Sequence, residues 1–171
     1  MSINLKNYIA EIPNFPHEGI LFYDISPLLA DKTAWGETVS QCAKIVDSMK
    51  PTTLVALESR GFFLAGAIAR ELNLGFVMVR KKGKLPGELY SYSYDLEYGK
   101  DTLEIKKDIL KKDDKVVILD DLLATGGTLN ASEILIKQSG AEVVGAVCIL
   151  ELLNLGGRAK CNFNVETLLK Y

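Results

Sequence analysis

VVILDDLLATGGT, which runs from Val116 to Thr128, is the stretch of sequence that decides the fold. It begins with an uninterrupted apolar run, continues with two adjacent acids and a short glycine-containing turn, and leads into a helical pattern. Uninterrupted apolar strands are typical of parallel sheets that are covered on both faces. In open α/β sheets, ligands bind beyond the carboxyl ends of the strands. The stretch therefore predicts a buried strand, a ligand-binding turn and a helix.

The turn from Ala124 to Thr128 has the composition of an anion-binding loop. Gly126 and Gly127 allow the backbone to approach a ligand closely and to adopt positive φ. Backbone N–H groups, the hydroxyls of Thr125 and Thr128, and the N-terminus of the following helix suit a phosphate. The chain contains neither GxxxxGK[ST] nor GxGxxG, so the loops that those motifs mark are excluded.

The two acids before the turn, Asp120 and Asp121, give the pattern its second half. Ionised carboxylates accept hydrogen bonds from sugar hydroxyls and repel a phosphate, so the combined pattern predicts a sugar phosphate as ligand. A strand, turn and helix without any ligand is the alternative, because glycine-bearing turns are common. We favour the ligand, because adjacent carboxylates after an apolar strand need partners.

The rest of the chain continues the alternation of strands and helices. Its 171 residues, 48% of them hydrophobic, fit one domain of the usual size, about 100–200 residues. We predict buried strands over Thr53–Leu57, Phe76–Val79, Lys115–Leu119 and Val143–Leu150. We predict helices over Asn4–Ile12, 35–49, Gly61–Leu72 and Leu129–Ser139. The long segment Lys81–Asp101, rich in glycine, tyrosine and charge, is expected to form an active-site lid that could include a β-hairpin.

Composition narrows the class of protein further. A net charge of −2 lacks the basic excess of a nucleic-acid binder, so no nucleic-acid partner is expected. The three cysteines form no CxxC, which argues against a disulfide framework and a thiolate zinc site. The N-terminal residues lack a signal-peptide core, and no apolar run reaches the about 20 residues that span a membrane. A cytoplasmic protein without membrane association is expected.

Five segments together resemble one family. Val116–Thr128 resembles the motif with which type I phosphoribosyltransferases bind phosphoribosyl pyrophosphate (PRPP), and DDLLATGGT resembles the adenine phosphoribosyltransferases among them. Four further segments match in order and spacing: NFPHEGILFYDISPLL (Asn14–Leu29), ESRGF (Glu58–Phe62), RKKGKLPG (Arg80–Gly87) and YDLEYGKDTLEI (Tyr94–Ile105). The resemblance implies an α/β fold, with a central, mostly parallel sheet flanked by helices, a flexible lid loop and a small N-terminal hood that binds the base. It also implies one phosphoribosyltransferase domain over residues 1–171, a homodimer, and conversion of adenine and PRPP into AMP and pyrophosphate in purine salvage.

The resemblance assigns the contacts to PRPP. Asp120 and Asp121 would bind the ribose hydroxyls. The 5′-phosphate of PRPP or AMP would lie on Ala124, Thr125, Gly126, Gly127 and Thr128. The pyrophosphate would contact Glu58, Ser59, Arg60, Arg80 and Lys84. In the family, the peptide that matches Glu58–Ser59 is often cis. Lys81 and Lys82 are expected to face solvent. Mg²⁺ is the implied cofactor, held mainly by substrate oxygens and water, with no metal ligand among the protein side chains.

The resemblance also assigns the contacts to the base. Glu97 would handle the proton that adenine loses and is the predicted catalytic residue. Tyr98 belongs to the lid, and Tyr90, Tyr92 and Tyr94 would help to cover the site.

Phe22 would stack on the purine, while the backbones of Leu21 and Tyr23 would bind its N6 and N1 edge. Some family members carry a basic residue where this chain has Tyr23. No side-chain contact to the base is therefore assigned to Tyr23, whereas the backbone contact does not depend on the side chain.

Two other functions are compatible with the family. One is transfer to a 6-oxopurine, which the Leu21–Tyr23 segment disfavours because an oxo group would leave polar groups unpaired. The other is a regulator that senses PRPP or a purine without catalysis. The retained Glu97 and the absence of a basic stripe argue against that regulator.

Overall fold

The computed structural model describes residues 3–95 and 99–171 of the chain. The chain divides into two compact units, one up to Gln41 and one from Cys42 onward. The predicted site residues Glu97 and Tyr98 lie outside the described residues.

The first unit contains a small antiparallel sheet. After a 3-10 helix, Leu5–Tyr8, strand β1 (Ala10–Pro13) pairs with β2 (Leu21–Asp24). Helices α1 (Ser26–Ala30) and α2 (Lys32–Ser48) follow, and α2 continues into the second unit. The predicted helix Asn4–Ile12 is wrong beyond its first turn. The backbone from Ala10 onward is instead hydrogen-bonded to β2, and this tertiary pairing overrides local propensity.

The second unit is built on a seven-stranded sheet. Its strands are β3 (Thr53–Leu57), β4 (Phe76–Lys81), β5 (Leu89–Asp95), β6 (Lys100–Lys106), β7 (Lys115–Leu123), β8 (Glu142–Glu151) and β9 (Val165–Lys170). Their order in the sheet is β5-β6-β4-β3-β7-β8-β9. Strands β4, β3, β7, β8 and β9 are parallel, and β5 and β6 form an antiparallel hairpin at the β4 edge. The predicted α/β class with a mostly parallel sheet is confirmed.

Helices cover this sheet and bury its apolar strands. Helix α3 (Gly61–Leu72) follows β3, and α4 (Gly127–Gln138) follows β7. Leu135 and Ile136 of α4 belong to the same core cluster as Val55 and Ile118 of the sheet. Two 3-10 helices, Leu153–Leu155 and Gly157–Lys160, lie between β8 and β9. Within the described ranges, no helix combines the length and apolarity that crossing a membrane requires.

The observed bounds differ most from prediction at β7. The prediction ends this strand at Leu119, but pairing with β8 continues to Leu123. Asp120 and Asp121 therefore lie inside the strand, where neighbours on the sheet fix their backbone. Strand β9 was not predicted, because Val165–Lys170 lacks a long apolar run.

Candidate functional site

A cavity of about 370 Å³ opens beyond the carboxyl ends of β3 and β7. From the end of β3 it is lined by Glu58, Ser59 and Arg60. From β7 and the following loop it is lined by Asp120, Asp121, Ala124 and Thr128. Residues far apart in sequence therefore meet at one edge, because parallel strands end on the same side of a sheet. The Glu58–Ser59 peptide is cis, as the resemblance implies.

The loop between β7 and α4 encloses a second, smaller concavity. This space of about 60 Å³ is lined by Asp120 and by every residue from Leu122 to Leu129, including all five residues predicted to hold a phosphate. Gly126 has φ of +78° and stands directly before α4. The first backbone N–H groups of a helix have no partner within the helix, and they carry the positive end of its dipole. The loop is therefore suited to an anion.

Gly157, which sequence reasoning missed, lies against this loop. A Cβ on Gly126 would lie 2.3 Å from the Gly157 carbonyl oxygen, and a Cβ on Gly157 would lie 2.2 Å from the Ala124 carbonyl oxygen. Neither position has space for a side chain. The adjacent pair Gly156-Gly157 is the one sign of a special backbone position in this part of the sequence, and it does not show that Gly157 contacts the loop.

The two neighbouring acids differ in their surroundings. Asp121 is buried, and its Oδ2 lies 3.0 Å from Arg60 Nε. Asp120 Oδ1 accepts the backbone N–H of Asp121 at 2.9 Å. Burial raises the pKa of both carboxyls; for Asp120 the Asp121 charge raises it further, and for Asp121 the Arg60 guanidinium offsets part of the rise. The site therefore holds two carboxylates whose charge burial makes costly, and of the two Asp121 has a cation, Arg60, beside it.

Glu58 is held by β4. Arg80 donates to its carboxylate from Nε at 3.3 Å and from Nη2 at 3.1 Å, and the Lys81 backbone N–H donates at 2.8 Å. Burial alone would raise the pKa of Glu58, but these hydrogen bonds and the Arg80 charge lower it. Arg80 Nη1 also donates to the Lys84 carbonyl at 3.3 Å. Arg80 thus connects two segments of the predicted pyrophosphate site.

The cationic side chains in and after β4 are placed around the cavity differently from the prediction. Lys81 is exposed, as expected, but it also lines the open cavity, with its Nζ 3.2 Å from Asp101 Oδ2. Arg80 and Lys84 are not among the described residues that line it. Successive side chains of a strand point to opposite faces, so Arg80 lies over the Phe62 ring of α3 while Lys81 faces the cavity. Asp101 and Lys81 were both missed as lining residues, because charged runs usually face solvent.

Tyr94 of β5 lies over the loop between β7 and α4. Its hydroxyl shares a hydrogen bond with Thr128 Oγ1 at 3.3 Å, and its ring would lie 3.4 Å from a Cβ on Gly127. Burial raises the pKa of Tyr94, which keeps the phenol protonated. Among the three tyrosines expected to cover the site, Tyr94 lines the cavity in the part of the chain that is described.

The residues predicted to bind the base belong to the first unit. Leu21, Phe22 and Tyr23 are consecutive on β2, so Phe22 points to one face and its neighbours to the other. Phe22 lines a cavity of about 300 Å³ together with Ile12, Phe15 and Asp24. The Phe15 and Phe22 rings pack edge to face, with centroids 5.1 Å apart.

Comparison with known proteins agrees with the fold and the motifs. A family model described as "Phosphoribosyl transferase domain" matches residues 36–162. The adenine phosphoribosyltransferase of Rhodospirillum rubrum is 53% identical over 169 residues, which cover 99% of this chain and 99% of that protein. That of Gluconobacter oxydans is 50% identical, covering 99% of this chain and 94% of that protein.

Solved structures agree as well. The crystal structure of adenine phosphoribosyltransferase from Thermoanaerobacter pseudethanolicus superposes with a TM-score of 0.94 at 45% identity, covering 98% of each chain. The Saccharomyces cerevisiae enzyme, crystallised with adenine and an imino-altritol bisphosphate, gives a TM-score of 0.90 at 39% identity, covering 96% of each chain. The chain therefore belongs to the phosphoribosyltransferase family and, within it, to the adenine phosphoribosyltransferases.

Proposed function

We propose that this chain transfers the 5-phosphoribosyl group of PRPP to adenine, forming AMP and pyrophosphate, in purine salvage. The bond between C1 of the ribose and the pyrophosphate oxygen breaks, and the pyrophosphate leaves with the electron pair. A bond forms between C1 and N9 of adenine, and adenine loses one proton. The observation that carries the proposal is the cavity lined by Arg60, by Asp120 and by Ala124 and Thr128, the two ends of the loop.

The sugar phosphate is proposed to bind at the β7 end of the cavity. Its hydroxyls donate to Asp120 and Asp121, whose pKa values are raised by burial and whose ionised forms gain from additional donors. Its 5′-phosphate lies on the loop Ala124–Thr128, among the N–H groups at the start of α4. What supports this orientation is the order of the groups along the chain, acids first and glycines second, which places like charges apart.

The pyrophosphate is proposed to bind at the β3 end. Ser59 and Arg60 line this part of the cavity, and Lys81 faces it from β4. Cations placed around a leaving group stabilise the negative charge that grows on it in the transition state. In the free protein, Arg80 binds Glu58 and does not line the cavity in which the substrate is proposed to bind. Lys84, whose carbonyl Arg80 binds, is proposed to reach the pyrophosphate when substrate is present.

Mg²⁺ is proposed as the cofactor. The described residues contain no group of three or more His, Cys, Asp or Glu side chains that could hold a metal ion. Three carboxylates that line the cavity, Glu58, Asp101 and Asp121, each have a cationic side chain within 3.3 Å. This donor set fits a Mg²⁺ that would be held mainly by substrate oxygens and water, which Asp120 and Asp121 would contact through water. When bound, the ion neutralises charge on the pyrophosphate.

Adenine is proposed to stack on Phe22, with the backbones of Leu21 and Tyr23 at its N6 and N1 edge. The edge-to-face contact with Phe15 supports this role because it fixes the Phe22 ring. Glu97 is proposed to accept the proton that adenine loses. Tyr98 is proposed to belong to the lid that excludes water, which would otherwise capture the cationic C1 centre.

We also propose one functional domain over residues 1–171, acting as a homodimer in the cytoplasm, without nucleic-acid or membrane partners. The full-length match to relatives supports the single domain. Phe76 and Met78, on one face of β4, remain 41% and 40% exposed, and a second copy of the chain could cover them. Light scattering at several concentrations measures the oligomeric state, and a monomer throughout would contradict the dimer.

One assay tests the proposed reaction. The purified protein is incubated with PRPP, Mg²⁺ and one purine at a time, and pyrophosphate release and nucleotide formation are both measured. We expect turnover with adenine and little with hypoxanthine, guanine or xanthine. Turnover with a 6-oxopurine in preference to adenine would overturn the assignment of the base. Binding of PRPP without turnover of any purine would favour the sensing regulator.

A further inference from the structure

The 3-10 turn Gly157–Lys160 packs against the loop Ala124–Thr128, which is proposed to bind the 5′-phosphate. Gly157 contacts Ala124 and Gly126 through backbone atoms, so closely that a Cβ on either glycine would clash. The turn contributes no lining residue to either of the two cavities beside this loop. It therefore limits how far the loop can move without itself contacting a ligand there.

Arg158, the next residue, fixes the turn in place. Its Nε lies 3.0 Å from Glu151 Oε1, and its Nη2 lies 2.5 Å from Glu151 Oε2. Nη1 donates to the Val165 carbonyl, and Nη2 also lies 3.3 Å from Thr167 Oγ1. The planar guanidinium thus uses all three of its nitrogens on two strands.

Glu151 is a buried acceptor for this clamp. It is 4% exposed, and besides Arg158 it accepts the Thr167 hydroxyl at 2.8 Å. Hydrogen bonding from Arg158 lowers the pKa of Glu151 and raises that of Arg158, so both groups are ionised across the physiological range. Removal of Arg158 would leave the Glu151 carboxylate buried without its cation, and an uncompensated buried charge is strongly destabilising.

The clamp and the loop are attached to neighbouring strands, β8 and β7. Glu151 ends β8 and pairs with Leu123, the last residue of β7 before the loop. The Leu152 N–H donates to the Leu123 carbonyl at 3.0 Å. Both sides of the contact between Gly157 and the loop are therefore anchored to the β7–β8 pair, within a few residues of each other.

We propose that Arg158 is a positioning residue for the 5′-phosphate: held by Glu151, it presses the Gly157 backbone against the loop Ala124–Gly126 and so sets the direction of the loop's N–H groups. This role rests on the proposed function insofar as the loop binds the phosphate of PRPP. It predicts that damage to the clamp weakens phosphate binding, while the transfer step itself, carried by other residues, is less affected.

The test compares variants of the clamp in the full-length protein. Arg158→Met is expected to raise the KM for PRPP and the Kd for AMP about tenfold, since small displacements of a binding group have effects of this size or larger. The kcat should change less than the KM. Arg158→Lys retains the charge but cannot bind Glu151 in a bidentate manner, so its KM and Kd are expected to lie between those of Arg158→Met and the wild type. If Arg158→Met does not fold, Arg158→Lys carries the same test.

Two neighbouring glycines provide a matched control. A Cβ on Gly157 would lie 2.2 Å from the Ala124 carbonyl oxygen, whereas a Cβ on Gly156 meets nothing within 4 Å. Gly157→Ala is expected to weaken AMP binding about tenfold, whereas Gly156→Ala, with φ of +61°, should lower stability but keep the Kd within about twofold. Equal Kd values for the two variants would overturn the positioning role.

Amide hydrogen exchange separates this role from the proposed function. In the ligand-free protein, exchange within residues 124–128 is expected to be faster in Arg158→Met than in the wild type, whatever the substrate is. Faster exchange in a protein that makes no AMP would leave the clamp intact and overturn the proposed reaction. An active wild type whose Arg158→Met variant matches it in exchange and in KM would overturn the clamp alone.

Discussion

Gly61, at the start of α3, and Leu119, in β7, meet backbone to backbone: a Cβ on Gly61 would lie only 2.5 Å from the Leu119 carbonyl oxygen. Arg60 comes directly before the first of these residues, and Asp120 directly after the second. The contact therefore sets the spacing between the two sides of the cavity, one on β3 and α3 and the other on β7.

Replacement of Gly61 by Ala should therefore change both stability and binding. We expect Gly61→Ala to lower the free energy of unfolding by about 2 kcal/mol, because overpacking forces backbone to shift. The KM for PRPP should rise as Arg60 moves away from Asp120. Gly66→Ala, in the same helix and with nothing within 4 Å of its Cβ, is the control. It should leave KM unchanged and add about 0.5–1 kcal/mol of stability. Urea denaturation and steady-state kinetics measure both.

Asp120→Asn is expected to stabilise the protein while it weakens PRPP binding. Burial and the Asp121 charge raise the pKa of Asp120 in the folded state, so the ionised carboxylate is destabilising at neutral pH. Folding favours its protonated form, so this cost disappears as the pH falls below the unfolded value of 3.8. The Tm of Asp120→Asn should therefore exceed that of the wild type at about pH 7.5, by a margin that shrinks in acid.

The same substitution removes an ionised acceptor for the ribose, so the Kd for PRPP should rise about tenfold or more. Calorimetric titration measures it. The exposed Asp113→Asn is the control and should change neither quantity. Unchanged PRPP binding in Asp120→Asn would remove this acid from the site.

Glu58→Gln should show the opposite dependence on pH. The folded-state pKa of Glu58 lies below its ordinary 4.5, so its contribution to stability is present above that value and is lost as the pH falls through the folded pKa. The difference in unfolding free energy between wild type and Glu58→Gln should therefore shrink in acid. In an Arg80→Met background the difference should be small at every pH, because the guanidinium that stabilises the carboxylate is gone. A pH-independent difference in the wild-type background would contradict the coupling.

Glu97→Ala is expected to lower kcat by about a hundredfold, the usual contribution of a positioned general base. The Kd for PRPP should change much less, because the proposed contact of Glu97 is to adenine. Glu88→Ala, whose side chain is 83% exposed in the same long segment, is the control for a change of charge. A loss of PRPP affinity equal to the loss of kcat would place Glu97 on the wrong substrate.

The elements that sequence predicts well are those whose signal is local. β3 and α3 have the predicted bounds, since Pro51 and Gly61 mark where an apolar run begins or changes period. The end of β7 was misplaced because residues 120–123 owe their strand conformation to pairing with β8, a partner distant in sequence. The small β1–β2 sheet was missed for the same reason.

Within the site, the motif residues were predictable and their partners were not. The acids and the glycine loop line cavities beside the end of β7, although the acids lie inside this strand rather than after it. Lys81 lies in a charged run that is expected to face solvent; it is exposed, and only the alternation of β4 shows that it also lines the cavity. The supporting glycine at 157 has no side chain to suggest a role, and its effect depends entirely on which backbone it meets.

The back-to-back glycines at 126 and 157 have a consequence for anyone who wishes to alter the specificity of this enzyme. Both positions are closed to any side chain by volume alone, whatever chemistry that side chain offers. Thr125, which directly precedes Gly126 and is exposed, has room for other side chains. A library that aims at a different sugar phosphate gains most by varying that residue and leaving both glycines untouched.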